Sequence, residues 1–160
     1  MTDPQELLSA SALTTFRLNG QFLALAEGLA EPAGLTATRW QVLGAVLREP
    51  LPVAGIARAM GITRQSVQRT ADVLVADGLA EYRENPAHRR AKLVAPTAAG
   101  LTAVRAINPG HRAAADRLAE IMGTDRWQRC LDALQDLAAA LDTLHTLDNE
   151  PADGRTSGHV

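Results

Sequence analysis

Aromatic side chains are scarce. They make up 3% of the 160 residues, two tryptophans, two phenylalanines and one tyrosine, so the core has to be built from Leu, Ala and Val. That composition favours helices over a β-sandwich. Cys130 is the one cysteine, which excludes an intramolecular disulfide. The opening MTDPQELLSA is acidic and lacks the apolar run of a secretory signal. No stretch approaches the roughly 18 to 20 uninterrupted apolar residues of a membrane span. A cytoplasmic protein with no membrane partner is expected. Positive charge is not in excess either: the net charge of −2 excludes a uniformly basic nucleic-acid binder but leaves local patches open.

Catalytic signatures are also missing. His88, His111, His145 and His159 have no metal-ligand spacing with Cys130, and there is neither a Gly-x-Ser-x-Gly nor a phosphate-binding glycine loop. Asp132 and Asp136 stand at i, i+4 and read as a solvated helix face. The sequence therefore gives no reason to expect an enzyme, a metal or a cofactor.

What is present is a 46% hydrophobic chain, ordinary for a folded domain with a single core. From Glu6 to about Glu31 apolar residues lie on nearly every side of a helix, which should then be buried on most sides; Pro32 and Gly34 end it. Thr36 or Thr38 can cap a second helix, ATRWQVLGAVLRE, with Trp40, Leu43 and Leu47 on one stripe. Pro52 suits the first turn of a third, in which Val53, Ile56, Ala57 and Met60 recur at i, i+3, i+4, i+7. Gly61 follows at once, where a left-handed helix end needs a residue without Cβ. Thr63 then caps a fourth helix running to about Asp77 and stopped by Gly78. Two helices joined by a tight Gly-containing turn make a helix-turn-helix. After it LAEYR and AKLVA read as strands around ENPAHRR, a hairpin wing. Thr97 opens a helical run with a kink or break expected at Pro109-Gly110. In the last helix Trp127, Leu131, Leu134, Ala138 and Leu141 form a coiled-coil-like seam, and residues 148–160 read as a disordered tail.

The fourth helix separates by face. Arg64, Gln65, Gln68, Arg69 and Asp72 share one side, and Val67, Ala71, Leu74 and Val75 lie on or near the other. Any surface helix has a polar face, but arginine at a helix N-terminus runs against the helix dipole and needs another reason, which phosphate would supply. From Arg58 to Lys92 seven basic residues face four acidic ones, a local charge of +3 that leaves −5 for the rest. Arginine can pair with guanine O6 and N7, glutamine with adenine N6 and N7, and serine or threonine can reach phosphate.

These features resemble the MarR-type winged-helix transcription regulators. The likeness runs from about Arg17 to Leu144. It rests on Leu-Thr before the Trp-Gln-Val-Leu helix, Thr-Arg-Gln-Ser opening the fourth helix, Asp-Gly-Leu leading into the wing, Asn-Pro before Arg-Arg at its tip, and Pro96-Thr97 with Gly100 beyond it. The resemblance implies a mainly α fold with a small β-hairpin wing, a winged helix-turn-helix between N- and C-terminal dimerisation helices. Residues 1–34 and 97–147 would form the dimerisation region and residues 35–96 the DNA-binding region. The function implied is that of a sequence-specific transcriptional regulator, a repressor in its simplest form, binding double-stranded DNA as a homodimer on a pseudo-palindromic operator. Half-site centres would lie roughly 34 to 36 Å apart. Thr63, Arg64, Gln65, Ser66, Gln68 and Arg69 would contact the major groove. The wing would contribute Arg90 to the minor groove, with Arg89 and His88 as sharers of its phosphate contacts, since His88 stands where the family commonly has an aspartate.

The resemblance also implies release by a small aromatic or anionic ligand between the dimer helices and the DNA-binding lobe, for which Phe16, Trp40, Leu43 and His111 are the local candidates. The other reading of those residues is ordinary core packing, with a solvated His111. Dimerisation has its own support, because both terminal helices show more apolar surface than one small lobe covers; the alternative is that they pack on each other in a monomer. A thiol sensor using Cys130 is a further reading, set against an inert thiol buried beside Leu131. A third is a winged-helix module for protein–protein interaction, which steep salt dependence of DNA binding would distinguish.

Overall fold

The computed structural model describes residues 3–149. Helix α1 spans Pro4–Ala30, capped by Asp3 with a proline in its first turn, and passes into a 3₁₀ turn at Glu31–Ala33. Then follow α2 (Ala37–Ala45), β1 (Leu51–Pro52), α3 (Val53–Met60), α4 (Arg64–Ala76), β2 (Ala80–Arg83), β3 (Leu93–Pro96), α5 (Ala98–Met122) and α6 (Thr124–Asn149). The strands form an antiparallel sheet in the order β1-β3-β2, in which Leu51 pairs with Val94 and Tyr82 with Val94 from the other side. The chain divides into two compact units after Arg112.

The first unit has an aliphatic core. Val42 and Leu43 of α2, with Val46 just beyond its end, meet Ile56 of α3, Val67 and Leu74 of α4, Val94 of β3 and Ile107 of α5, all fully or almost fully buried. The Leu79–Thr97 junction fastens α5 to the helix-turn-helix. Thr97 donates its amide to Leu79 O at 3.1 Å and its hydroxyl to Gly78 O at 2.6 Å, and its Oγ1 accepts from the Gly100 amide at 3.1 Å.

Four expectations from the sequence change. The second helix stops at Ala45, where Val46 leaves helical geometry and Leu47 points out to solvent. The run through Pro109 is unbroken, although proline removes one backbone hydrogen bond. Val104 and Ile107, buried ahead of it, hold the helix on the core, and Gly110, one residue past it, faces Leu29, whose Cδ2 would lie 3.3 Å from an added Cβ. Strand β1 is unannounced in the sequence, because a two-residue edge strand containing proline has no periodicity to detect. Finally, α1 joins the core only at its end, through buried Ala30 and partly buried Leu29, and leaves Leu7, Leu8, Leu13, Phe16 and Phe22 exposed.

In the second unit, the end of α5 turns at Gly123 (φ +78) into α6, which has no buried residue among those described. Leu131, Leu134, Leu137, Leu141, Leu144 and Leu147 are all exposed. The expected tail falls on Asp148 and Asn149, which close α6, and otherwise lies outside the described residues.

Candidate nucleic-acid interface

The turn between α3 and α4 is set by backbone geometry. Gly61 adopts φ +66, a left-handed helix end that accommodates residues without Cβ, and returns its N–H to Ala57 O. Thr63 then caps α4, its Oγ1 accepting from the Ser66 amide at 3.1 Å. No acidic residue follows in the first turn, which instead starts with Arg64. Val67, Ala71 and Leu74 are wholly buried, which turns Arg64, Gln65, Gln68, Arg69 and Asp72 outward.

The wing tip is a pair of consecutive turns. Asn85 Oδ1 accepts from the Ala87 amide and Asn85 O from the His88 amide; His88 O then accepts from the Ala91 amide at 3.1 Å. Arg89 and Arg90 thereby occupy the two central positions of the second turn, exposed.

Between the two lies an open groove of roughly 590 Å³. Its walls are the β1–α3 junction, Arg64, Gln65 and Gln68 of α4, Tyr82 of β2, and Arg90 to Lys92 at the end of the wing. Arg64, Arg90 and Lys92 bring three cations to it and no acid lines it; among the described residues none of the three forms a salt bridge. At its α4 wall Tyr82 donates a short hydrogen bond to Asp72, and Gln68 Nε2 lies 2.9 Å from both Asp72 Oδ1 and the Tyr82 hydroxyl. Burial first, and then the bond to the Asp72 carboxylate, pushes the Tyr82 phenol up to about 12. The same bond, aided by Gln68, holds Asp72 below the ordinary carboxylate value.

Of the residues singled out in the sequence, the structure brings Arg64, Gln65, Gln68 and Arg90 together in the groove. Arg69 is exposed further along α4, and His88 and Arg89 lie on the wing outside the groove. Thr63 is the cap, and Ser66 is half-buried behind it. Lys92 and Tyr82 were missed as site residues. The alternation of AEYR, with Ala80 buried and Tyr82 half-buried between exposed Glu81 and Arg83, is the signal that places Tyr82 on the inner side.

The ligand candidates do not gather as a set. Leu43 is 0% exposed and belongs to the core, whereas Phe16 is 72% exposed. Trp40 and His111 do meet, edge to face, with ring centroids 5.8 Å apart. Cys130 is exposed on α6, so the expectation of a buried thiol does not hold within one chain. Its place beside Leu131 in an apolar helix suggests burial, but among the described residues none of α6 is buried.

A MarR family profile matches residues 33–91, the stretch from just before α2 to the tip of the wing. An uncharacterized protein of Mycobacterium tuberculosis, Rv2011c, is 38% identical over 126 residues, which cover 79% of this chain and 88% of that one. The chain belongs to the MarR family. Its fold is that of MarR transcription regulators and not of an enzyme family. The structure of CouR from Rhodococcus jostii RHA1, bound to p-coumaroyl-CoA, is 25% identical and superposes with a TM-score of 0.70 over 79% of this chain and 90% of that one. That of the M. tuberculosis regulator MosR in complex with DNA is 23% identical, with a TM-score of 0.70 over 83% and 96% of the two chains. No helix among the described residues is long and apolar enough to cross a membrane.

Proposed function

We propose that this MarR-family chain is a sequence-specific double-stranded DNA-binding regulator that acts as a homodimer and represses by occluding a promoter. The observation that carries the reading is the groove in which Arg64, Gln65 and Gln68 of α4 meet Arg90 and Lys92 of the wing with no acid among them. Phosphate binding favours such unpaired cations, and the polar face of a helix of this kind fits a major groove. Thr63 and Ser66 shape the helix start, Arg69 extends the contact face along α4, and His88 and Arg89 approach the backbone beside Arg90. That DNA occupies the MosR structure agrees with this reading.

Dimerisation is supported by the exposed leucines of α6 and the uncovered apolar residues of α1. Large exposed apolar surface marks an interaction site, and a second copy of the chain offers a matching one. Ligand release has narrower support: the Trp40–His111 contact, and the acyl-CoA held by CouR. Residues Phe16 and Leu43 join that site only if the dimer brings the first inward and the core opens at the second.

Fluorescence anisotropy of the purified protein against DNA from upstream of its own coding region, at two salt concentrations with random DNA as control, tests the reading. Tight binding that exceeds random DNA and weakens with salt is expected. Absence of binding at either salt rejects it in favour of a protein-interaction role.

A further inference from the structure

The contacts of Gln68 define which end of its carboxamide faces inward. Gln68 and Asp72 lie one turn apart on α4, and Tyr82 comes from β2. Gln68 Nε2 is 2.9 Å from Asp72 Oδ1 and 2.9 Å from the Tyr82 hydroxyl, which itself donates to Asp72 Oδ1. A carboxylate only accepts, and the Tyr82 hydroxyl has already committed its proton, so both neighbours offer lone pairs alone. The amide oxygen would be repelled there, and the nitrogen has to point inward. Because the three polar atoms form a small triangle, both acceptors lie on the same side of Nε2 and draw on one N–H. The second N–H and the carbonyl Oε1 remain, on an exposed side chain in the groove wall.

An unrestrained glutamine turns readily about its terminal torsion and exchanges its donor and acceptor ends. Held as it is here, Gln68 shows one acceptor and one donor in a set order. We propose that Gln68 reads adenine, its Oε1 accepting from the N6 amino group and its second N–H donating to N7, with Asp72 and Tyr82 as positioning residues that hold the amide in its reading orientation. This rests on the major-groove role of α4 proposed above. In that groove adenine alone presents the complementary donor and acceptor side by side. Guanine presents two acceptors, thymine an acceptor and a methyl group, and cytosine a donor only.

The test is selection of bound duplexes from a randomised pool by the full-length protein, followed by sequencing, for the wild type, Gln68→Ala, Tyr82→Phe and Asp72→Asn. Phenylalanine keeps the ring that packs on the core, and thermal melting checks that each variant is folded. The wild type is expected to prefer adenine about tenfold or more at one position of each half-site. Gln68→Ala removes the preference there and nowhere else. Tyr82→Phe and Asp72→Asn reduce it to about threefold or less while the other positions hold. A wild-type motif that Gln68→Ala leaves intact, or a different base at the position it alters, overturns the assignment. Full adenine preference in both Tyr82→Phe and Asp72→Asn overturns the positioning role. No enriched motif with the wild type is a distinct result, which overturns the major-groove reading on which this one stands.

Discussion

The carbonyl oxygen of Leu79 lies where a side chain at Gly100 would have to go: a Cβ built on Gly100 falls 2.0 Å from it. The approach is that close because Thr97 bonds to Leu79 and Gly78 and draws the first turn of α5 onto the end of the helix-turn-helix. Backbone cannot step aside as a flexible side chain can. Gly100→Ala is therefore expected to destabilise the protein by about 2 to 3 kcal/mol, the upper range for overpacking. Urea unfolding followed by circular dichroism measures it, and a change below about 0.5 kcal/mol would show that the junction can open.

Tyr82 is the only tyrosine, so phenolate absorbance reports it without overlap from another. In the folded protein its titration should be centred near 12 rather than 10.0. The group is raised on folding, so its stabilising effect is complete below pH 10 and is lost as pH climbs towards 12. Asp72 has the opposite sense: its contribution is present above its ordinary value of 3.8 and disappears as pH falls below it. With Asp72→Asn the Tyr82 midpoint should move down but stay above 10.0, since burial is the larger cause. Rapid pH jumps read at the phenolate band decide the point; an unchanged midpoint in the variant counts against the bond.

Two polar contacts at helix starts should be separable by mutation. Thr63 Oγ1 accepts from the Ser66 amide, and Glu27 Oε2 of α1 accepts from the Ala37 amide at the start of α2, at 2.8 Å. Thr63→Ala and Glu27→Ala are each expected to cost about 1 kcal/mol, and Thr63→Ser much less. The two sites share no partner, so the double variant should lose close to the sum. Thermal melts of the wild type and the four variants give the comparison.

Arg90 and Lys92 should act through phosphate. Replacing either with Ala is expected to weaken binding to operator and random DNA alike and to lower the slope of log affinity against log salt by about 1. A loss confined to the operator would instead mark a base contact.

Cys130 shares a helix face with Leu134, Leu137 and Leu141, which stand four, seven and eleven residues beyond it. In the proposed homodimer that face is covered, so the thiol should react slowly with a colourless thiol reagent. Leu137→Glu with Leu141→Glu is expected to give a monomer by sedimentation and to speed the reaction at Cys130. Fast reaction in a wild-type dimer would place the interface elsewhere and bring a redox role for Cys130 forward.

Local chemistry is legible in the sequence itself. Gly61, Thr63 and Gly78 act through the backbone of their own neighbourhood, so the helix-turn-helix and its cap could be read from spacing alone, although Pro52, expected in the first turn of α3, precedes it as the extended cap. The wing turn, with Asn85 at its start and Arg89-Arg90 at its tip, was readable for the same reason. The polar face of α4 followed from the burial of Val67, Ala71 and Leu74 at helical period. Other features depend on residues far apart in the chain. Glu27 reaching the Ala37 amide, β1 joining β3 at Val94, and Gly100 against Leu79 have no periodic trace, because each is set by where whole elements dock. The same holds for Gln68, whose sequence context marks it as a polar surface residue. Only the arrival of Tyr82 from β2 beside Asp72 decides which end of its amide is turned to solvent, since a carboxylate and a committed hydroxyl admit a donor and nothing else.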